Sequence, residues 1–207
     1  MSSREQAILR AAERLFFDRS FDGVSVDDIG RHAGVSGSAI YRHFSGKDEI
    51  LAGLFDEVME AILARLGEPD EDPRADVERL LRVYVDLAVQ HDKLAAIWLR
   101  DQRSLSEKYR RDHDHRQRRI NDRMAGALQR CFPERTPDEI VTAVRGLQIL
   151  LLSESLRPPS GRRAPDAGGL LHAMALGCLA VLAQPRNASS WRSSSSSPTD
   201  HDVNHRV

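Results

Sequence analysis

The stretch VSVDDIGRHAGVSGSAIYRHFSGKDEIL, residues 24–51, decides the fold. Ser25, with Asp28 three positions on, has the pattern of a capping box, so a short helix begins there and buries Ile29 and Ala33. Gly34 ends it, because the left-handed conformation that closes a helix suits glycine. Ser36 caps a second short helix, expected to run to about residue 44, and Ser45 with Asp48 repeats the capping-box pattern for a longer one. Two short helices joined by AGVS, the second opening in small residues, match a helix-turn-helix, whose second helix enters the major groove of DNA N-terminus first.

Local charge agrees with that reading where bulk charge is silent. The chain has 30 basic and 31 acidic residues and a net charge of −1, so composition alone does not point to nucleic acid. Between Ile29 and Lys47, however, no acidic residue occurs, while Arg31, Arg42 and Lys47 are cationic and His32 and His43 can be. On the second short helix, Ile40 and Phe44 are four apart and face the core, which leaves Gly37, Ser38 and Tyr41 outward with Arg42 and His43 at the flanks. Ser38 is suited to hydrogen bonds with base edges and the methyl of Ala39 to a thymine methyl. Tyr41 and His43 are placed for phosphate oxygens, Arg42 for phosphate or a base, and Lys47 for a clamp on the DNA backbone at a helix N-terminus.

The residues outside this stretch read as helix throughout, since apolar positions recur at helical spacing and no alternating run suggests a strand. A helix over about 4–18 precedes the motif, and the long one capped by Ser45 carries Leu51, Leu54, Phe55, Val58, Ile62 and Leu66 on one stripe until GEPDEDPR stops it. Further helices are predicted over about 75–91, 94–103, 107–131, 137–156 and 166–183. The fold class is therefore all-α: an N-terminal three-helix helix-turn-helix domain over 1–48 and a helical effector-binding and dimerisation domain over 49–184. The serine-rich 185–207 is expected to be a disordered tail. No apolar run reaches the length of a membrane span, and the N-terminus mixes charge through its apolar residues, so a cytoplasmic protein with no membrane partner is expected.

At these residues the chain resembles the TetR/AcrR family of regulators: LFFDRSFDGVSVDDIGRHAGVSGSAIYRHFSGKDEIL looks like the family's N-terminal signature, over about residues 8–55, including GVS, the YRHF ending and the KDEIL opening of the fourth helix. The resemblance implies a homodimer on a palindromic operator, usually a repressor, that leaves DNA when a small molecule occupies the C-terminal half. It also implies DNA contacts at Gly37, Ser38, Ala39, Tyr41, His43 and Lys47, with Gly37 a mild departure because many relatives carry a basic or larger residue there.

The C-terminal half carries candidates of its own. The helices at 137–156 and 166–183 are apolar around much of their circumference, which suits a four-helix interface between two copies. A pocket among the middle helices would be walled by Met59, Leu63, Tyr84, Leu87, Trp98, Met124, Leu128 and Leu147. The segment KYRRDHDHRQRR over 108–119 makes a poor metal site: His113 and His115 diverge on a helix, and the one pair at four-residue spacing, His201 and His205, lies in the tail. Its arginines are either a solvated face stitched by nearby acids or an anion site for an acyl-coenzyme A thioester. No nucleophile elbow, phosphate loop or zinc-hydrolase helix is readable, so neither an enzyme nor a cofactor is expected. The rival is a helical dimer whose N-terminal domain binds protein instead of DNA.

Overall fold

The computed structural model describes residues 2–157, 161 and 163–185. They form α1 (Ser3–Arg19), α2 (Val26–Ala33), α3 (Gly37–Ile40), α4 (Lys47–Leu66), α5 (Pro73–Gln90), α6 (Asp92–Asp101), α7 (Glu107–Cys131), α8 (Pro137–Leu151) and α9 (Ala167–Ala180), with no strand among them. The all-α expectation holds. Most of the serine-rich stretch, with His201 and His205, lies outside the described residues.

Capping chemistry sets many of the boundaries. Asp72 accepts from the Arg74 amide at 2.9 Å and Pro73 opens α5, where its fixed φ is already helical and its missing N–H costs nothing. Thr136 and Glu139 close a reciprocal capping box at α8, again with proline in the first position. The helices expected over 94–103, 137–156 and 166–183 end sooner, at Asp101, Leu151 and Ala180, and each runs on into a short 3-10 turn. There the amides of Leu105, Ser155 and Gln184 reach back three residues, to Gln102, Leu152 and Val181, in place of four.

Burial divides the interior into two clusters that share α4. The first gathers Ile8, Phe16, Ile29, Ile40, Leu51 and Phe55 from α1 to α4, and draws in Leu94 and Ile97 from α6. The second gathers Met59, Leu80, Leu81, Ile120, Leu128 and Leu171 from α4, α5, α7 and α9. The division falls between Phe55 and Met59, inside α4, so that helix is a common wall for both clusters.

A buried charge holds the far end of this wall. Asp76 on α5 is fully buried and is surrounded by Arg79 at 2.8 Å, Arg123 at 2.6 Å and Arg130. The same guanidiniums donate to backbone carbonyls of the α4–α5 connection: Arg79 to Leu66, Arg123 to Gly67 and Arg130 to Asp70. Burial pushes the Asp76 carboxyl up, but the hydrogen bonds and charge of Arg123, joined by Arg79, outweigh it and hold the group below the ordinary carboxylate range.

Two outer helices keep apolar surface. Ile149 on α8 and Leu170 and Met174 on α9 are 56%, 55% and 45% exposed, with Val141 and Leu176 near 40%. No helix among the described residues is long and apolar enough to cross a membrane.

Asp76→Ala would leave three guanidiniums facing one another without their counter-charge, at an expected cost of about 3 kcal/mol at pH 7. Because the folded carboxyl has a lowered pKa, this contribution is fully present above the unfolded value of 3.8 and fades only as pH falls below it. Urea unfolding of both proteins should show a constant deficit from pH 7 to pH 4.5; a loss under 1 kcal/mol would contradict the assignment.

Candidate functional site

The α2–α3 unit is built by small residues and caps. Ser25 and Asp28 exchange amide bonds in the expected capping box, and the Ser25 hydroxyl and amide bonds bring the Asp28 carboxyl down to about 2. Gly34 closes α2 with φ +71°, a conformation costly for any residue with a Cβ. Gly30, which sequence reasoning passed over, is equally constrained: a Cβ there would lie 2.9 Å from the Val35 carbonyl oxygen and 3.2 Å from the Gly37 nitrogen. Its bareness lets the turn and the start of α3 press against α2. A glycine inside a short helix was the available signal.

The second helix of the motif is shorter than expected. Ser36 caps it by accepting from the Ala39 amide at 3.2 Å, and regular helix stops at Ile40 instead of continuing to about residue 44. The amides of Arg42 and His43 reach back three residues, to Ala39 and Ile40, so the chain winds on as tighter turns until Phe44 bonds Ile40 at 3.0 Å. Ile40 and Phe44 are buried, as their spacing required. Ser38, Tyr41 and Arg42 are exposed, Tyr41 at 59%, and Arg42 has no side-chain hydrogen bond or ion pair among the described residues. Ala39 and Gly37 are half-buried between them. A Cβ on Gly37 would meet the Asp27 carboxylate at 2.0 Å, so this glycine leaves room for an acid from α2 against the start of α3.

His43 and Lys47 are held differently from the outward placement that the sequence suggested. His43 Nδ1 lies 3.3 Å from Glu5 Oε1, and Glu5 also closes the capping box of α1 with Ser2. Lys47 turns its ammonium inward, donating to the carbonyls of Phe21 at 2.7 Å and Val24 at 2.9 Å, with the Phe21 ring beneath it at 4.2 Å. The box expected between Ser45 and Asp48 is also displaced. With Gly46 at the cap position α4 starts at Lys47, its third residue is Glu49, and Ser45 pairs with that carboxylate. Arg31 pairs with Asp28 at 3.0 Å and His32 lies against the Asp28 carbonyl.

From the other side, α6 grips the end of α1. Asp101, nearly buried, accepts from the Phe21 amide at 3.2 Å, and Arg100 donates to the carbonyls of Phe16 and Phe17 while pairing with Asp101. Sequence inspection singled out neither residue.

A cavity of about 100 Å³ lies among α4, α5, α6, α7 and α8. Met59, Tyr84, Leu87 and Trp98 line it as expected; Leu63, Met124, Leu128 and Leu147 instead pack in the second cluster. Ile120 and Leu151, one turn along from Met124 and Leu147, take their places, with Phe55 also on the wall. The cavity therefore sits one helical turn nearer the motif. Trp98 donates its indole N–H to His113 Nε2 at 2.9 Å, so His113 is neutral, and burial keeps its basicity below the ordinary value. His115 is exposed. The arginine-rich face is largely paired: Arg110 and Arg111 with Glu107, and Arg116 with Asp56 and Glu60 at 2.8 and 3.0 Å.

Comparison with known proteins matches residues 8–54 to the model for bacterial regulatory proteins of the tetR family. The chain is similar to the HTH-type transcriptional regulator EthR of Mycobacterium tuberculosis, 40% identical over 76 residues, covering 37% of this chain and 35% of that protein, so the sequence likeness spans about a third of the relative's length. Its fold is similar to that of a tetR-family bacterial regulatory protein from Rhodococcus RHA1, with TM-score 0.77 and 18% identity over 88% of this chain and 98% of the other. It is also similar in fold to AibR, solved in complex with isovaleryl coenzyme A and operator DNA, with TM-score 0.71 and 21% identity over 84% and 97%.

Removing the internal ties of Lys47 should cost stability before it costs charge. Lys47→Ala is expected to lose about 2 kcal/mol, seen as a lowered urea midpoint. The slope of log affinity for DNA against log salt should stay unchanged; a slope reduced by about 1 would show instead that the ammonium reaches a phosphate.

Proposed function

We propose that this chain, which belongs to the TetR family of bacterial regulatory proteins, is a cytoplasmic, ligand-responsive regulator of transcription that sits on a palindromic DNA operator as a homodimer. It acts as a repressor and leaves DNA when a small hydrophobic or acyl-type effector occupies its helical half. The observation that carries this reading is the α2–α3 unit, braced from behind by Lys47 and His43 while Ser38, Tyr41 and Arg42 stand exposed on its outer side. Residues 1–48 serve as the DNA-binding part and 49–184 as the effector and dimer part.

Roles follow from chemistry and placement. Gly37, Ser38 and Ala39 approach base edges, Tyr41 and Arg42 hold phosphates, and His43 and Lys47 act chiefly by fixing the motif's attitude. The apolar faces of α8 and α9 pair with those of a second copy, which removes Ile149, Leu170 and Met174 from water. The two recognition helices then stand roughly 34–36 Å apart, one DNA turn, or a multiple of it. The switch runs through α6: Trp98 lines the cavity, and Asp101, three residues on, holds the Phe21 amide. An effector that favours a different seat for α6 shifts the dimer toward a spacing that no longer fits, by as much as its affinity differs between the two states.

The test is fluorescence anisotropy with duplex DNA taken from upstream of the chain's own gene, titrated across salt. Tight binding that prefers this DNA over random duplex and weakens with salt is expected. Arg42→Ala should weaken all sequences about tenfold, whereas Ser38→Ala should reorder the ranking of operator variants. Equal affinity for this DNA and random duplex at every salt would overturn the operator assignment, and no DNA binding at all would favour a protein partner for the motif.

A further inference from the structure

The cavity's chemistry is narrower than its apolar walls suggest, because few polar side chains line it and three of them, Trp98, Gln117 and Gln148, are held by protein partners. The indole N–H of Trp98 is spent on His113. The side-chain amides of Gln117 and Gln148 both donate to Asn121 Oδ1, at 3.0 and 2.5 Å. The Tyr84 hydroxyl is different: its oxygen is buried and has no hydrogen bond. Gln148 stands close enough to ease ionisation of the phenol slightly, yet burial dominates and raises its pKa far above the ordinary value. A phenol that stays protonated is a fixed donor, and a buried donor without an acceptor is costly to the fold.

Charge is absent from the wall. Among the described residues, no lysine, arginine, aspartate or glutamate lines the cavity, and His91, at the junction of α5 and α6, is the titratable lining residue besides Tyr84. A carboxylate or phosphate placed inside would lose its water with no lysine or arginine to replace it, and that loss outweighs what an apolar wall returns. Size limits the guest as well. An engineered apolar cavity of about 150 Å³ accepts benzene, so about 100 Å³ suits one small ring or a short branched chain.

From these observations we infer that the cavity selects an uncharged, compact, mostly apolar molecule bearing one oxygen that accepts a hydrogen bond from the Tyr84 hydroxyl, such as a ketone, ester or ether oxygen. The inference rests on the cavity being the effector site of the proposed regulator and names the ligand class of that site. A free fatty acid or a phosphorylated metabolite is refused, and within an acyl-type ligand only the neutral carbonyl portion is accepted. Tyr84 is the specificity-determining residue, because among the described lining residues its hydroxyl is the buried side-chain group left without a hydrogen-bond partner.

Calorimetric titration of the full chain with three compounds smaller than or comparable to benzene tests this: cyclobutanone, methylcyclobutane of equal heavy-atom count, and cyclopropanecarboxylate. Titrations are run at pH 6 and pH 8. Cyclobutanone should bind at both pH values and the carboxylate at neither. Tyr84→Phe keeps the ring and its packing, and its thermal midpoint reports whether the fold is intact. In that variant cyclobutanone should bind about tenfold more weakly, equivalent to about 1.4 kcal/mol, while methylcyclobutane binds within about twofold of its affinity for the wild type. Carboxylate binding comparable to that of the ketone at either pH, or ketone affinity indifferent to Tyr84→Phe, would overturn the inference. If neither ring binds the wild-type protein, the cavity is not an effector site, and the fault lies with the functional reading beneath.

Discussion

The carbonyl groups that α1 leaves at its C-terminus, and those of the turn after it, must find donors, because a helix end has no partners of its own. Here the Ser20 and Val24 amides reach those of Phe16 and Phe21, and cations from two other helices supply further donors. Arg100 of α6 takes the carbonyls of Phe16 and Phe17, and Lys47 of α4 takes those of Phe21 and Val24. Positive charge is also what the macrodipole favours at that end. Asp101 completes the arrangement by accepting the Phe21 amide. The turn between α1 and α2 is thereby fixed from both sides, and the attitude of the α2–α3 unit is fixed with it.

This constraint explains why α4 and α6 matter beyond their own packing. At about 1.5 Å per residue, α4 runs roughly 30 Å from Lys47 to the carbonyls of Leu66 and Gly67 that the arginines around Asp76 hold. It is anchored by ionic hydrogen bonds at both ends and forms a wall of both apolar clusters between them. The cavity opens against its middle, at Phe55 and Met59, and against α6 one turn from Asp101. A guest there touches the two helices that hold the motif's entrance.

Much of this was legible in the sequence because it depends on neighbours in the chain. The Ser25–Asp28 box, the left-handed Gly34 and the full extent of α7 over 107–131 follow from local patterns, and the structure shows all three. What was not legible depends on distant partners. Lys47 reads as a free cation until folding brings carbonyls from 26 and 23 residues earlier beneath it. Asp76 reads as one more acid on a charged helix; its partners Arg123 and Arg130 lie 47 and 54 residues away. At Met124 and Leu147 the stripe at helical spacing identifies the face they share with Ile120 and Leu151, but not which turn of that face meets a gap. Ile40 and Phe44 are buried whether the last turn of α3 is regular or tight, so their spacing does not separate a helix that ends at Ile40 from one that reaches residue 44.

Amide hydrogen exchange of Asp101→Ala against the wild type probes the grip of α6 on the motif most directly. The expected result is faster exchange through the α1–α2 turn, around Phe21 and Val24, spreading into α2 and α3 while α8 and α9 keep their protection. Unchanged protection at Phe21 and Val24 would contradict the account, leaving the turn to Lys47 and to the Arg100 bonds with Phe16 and Phe17 rather than to Asp101.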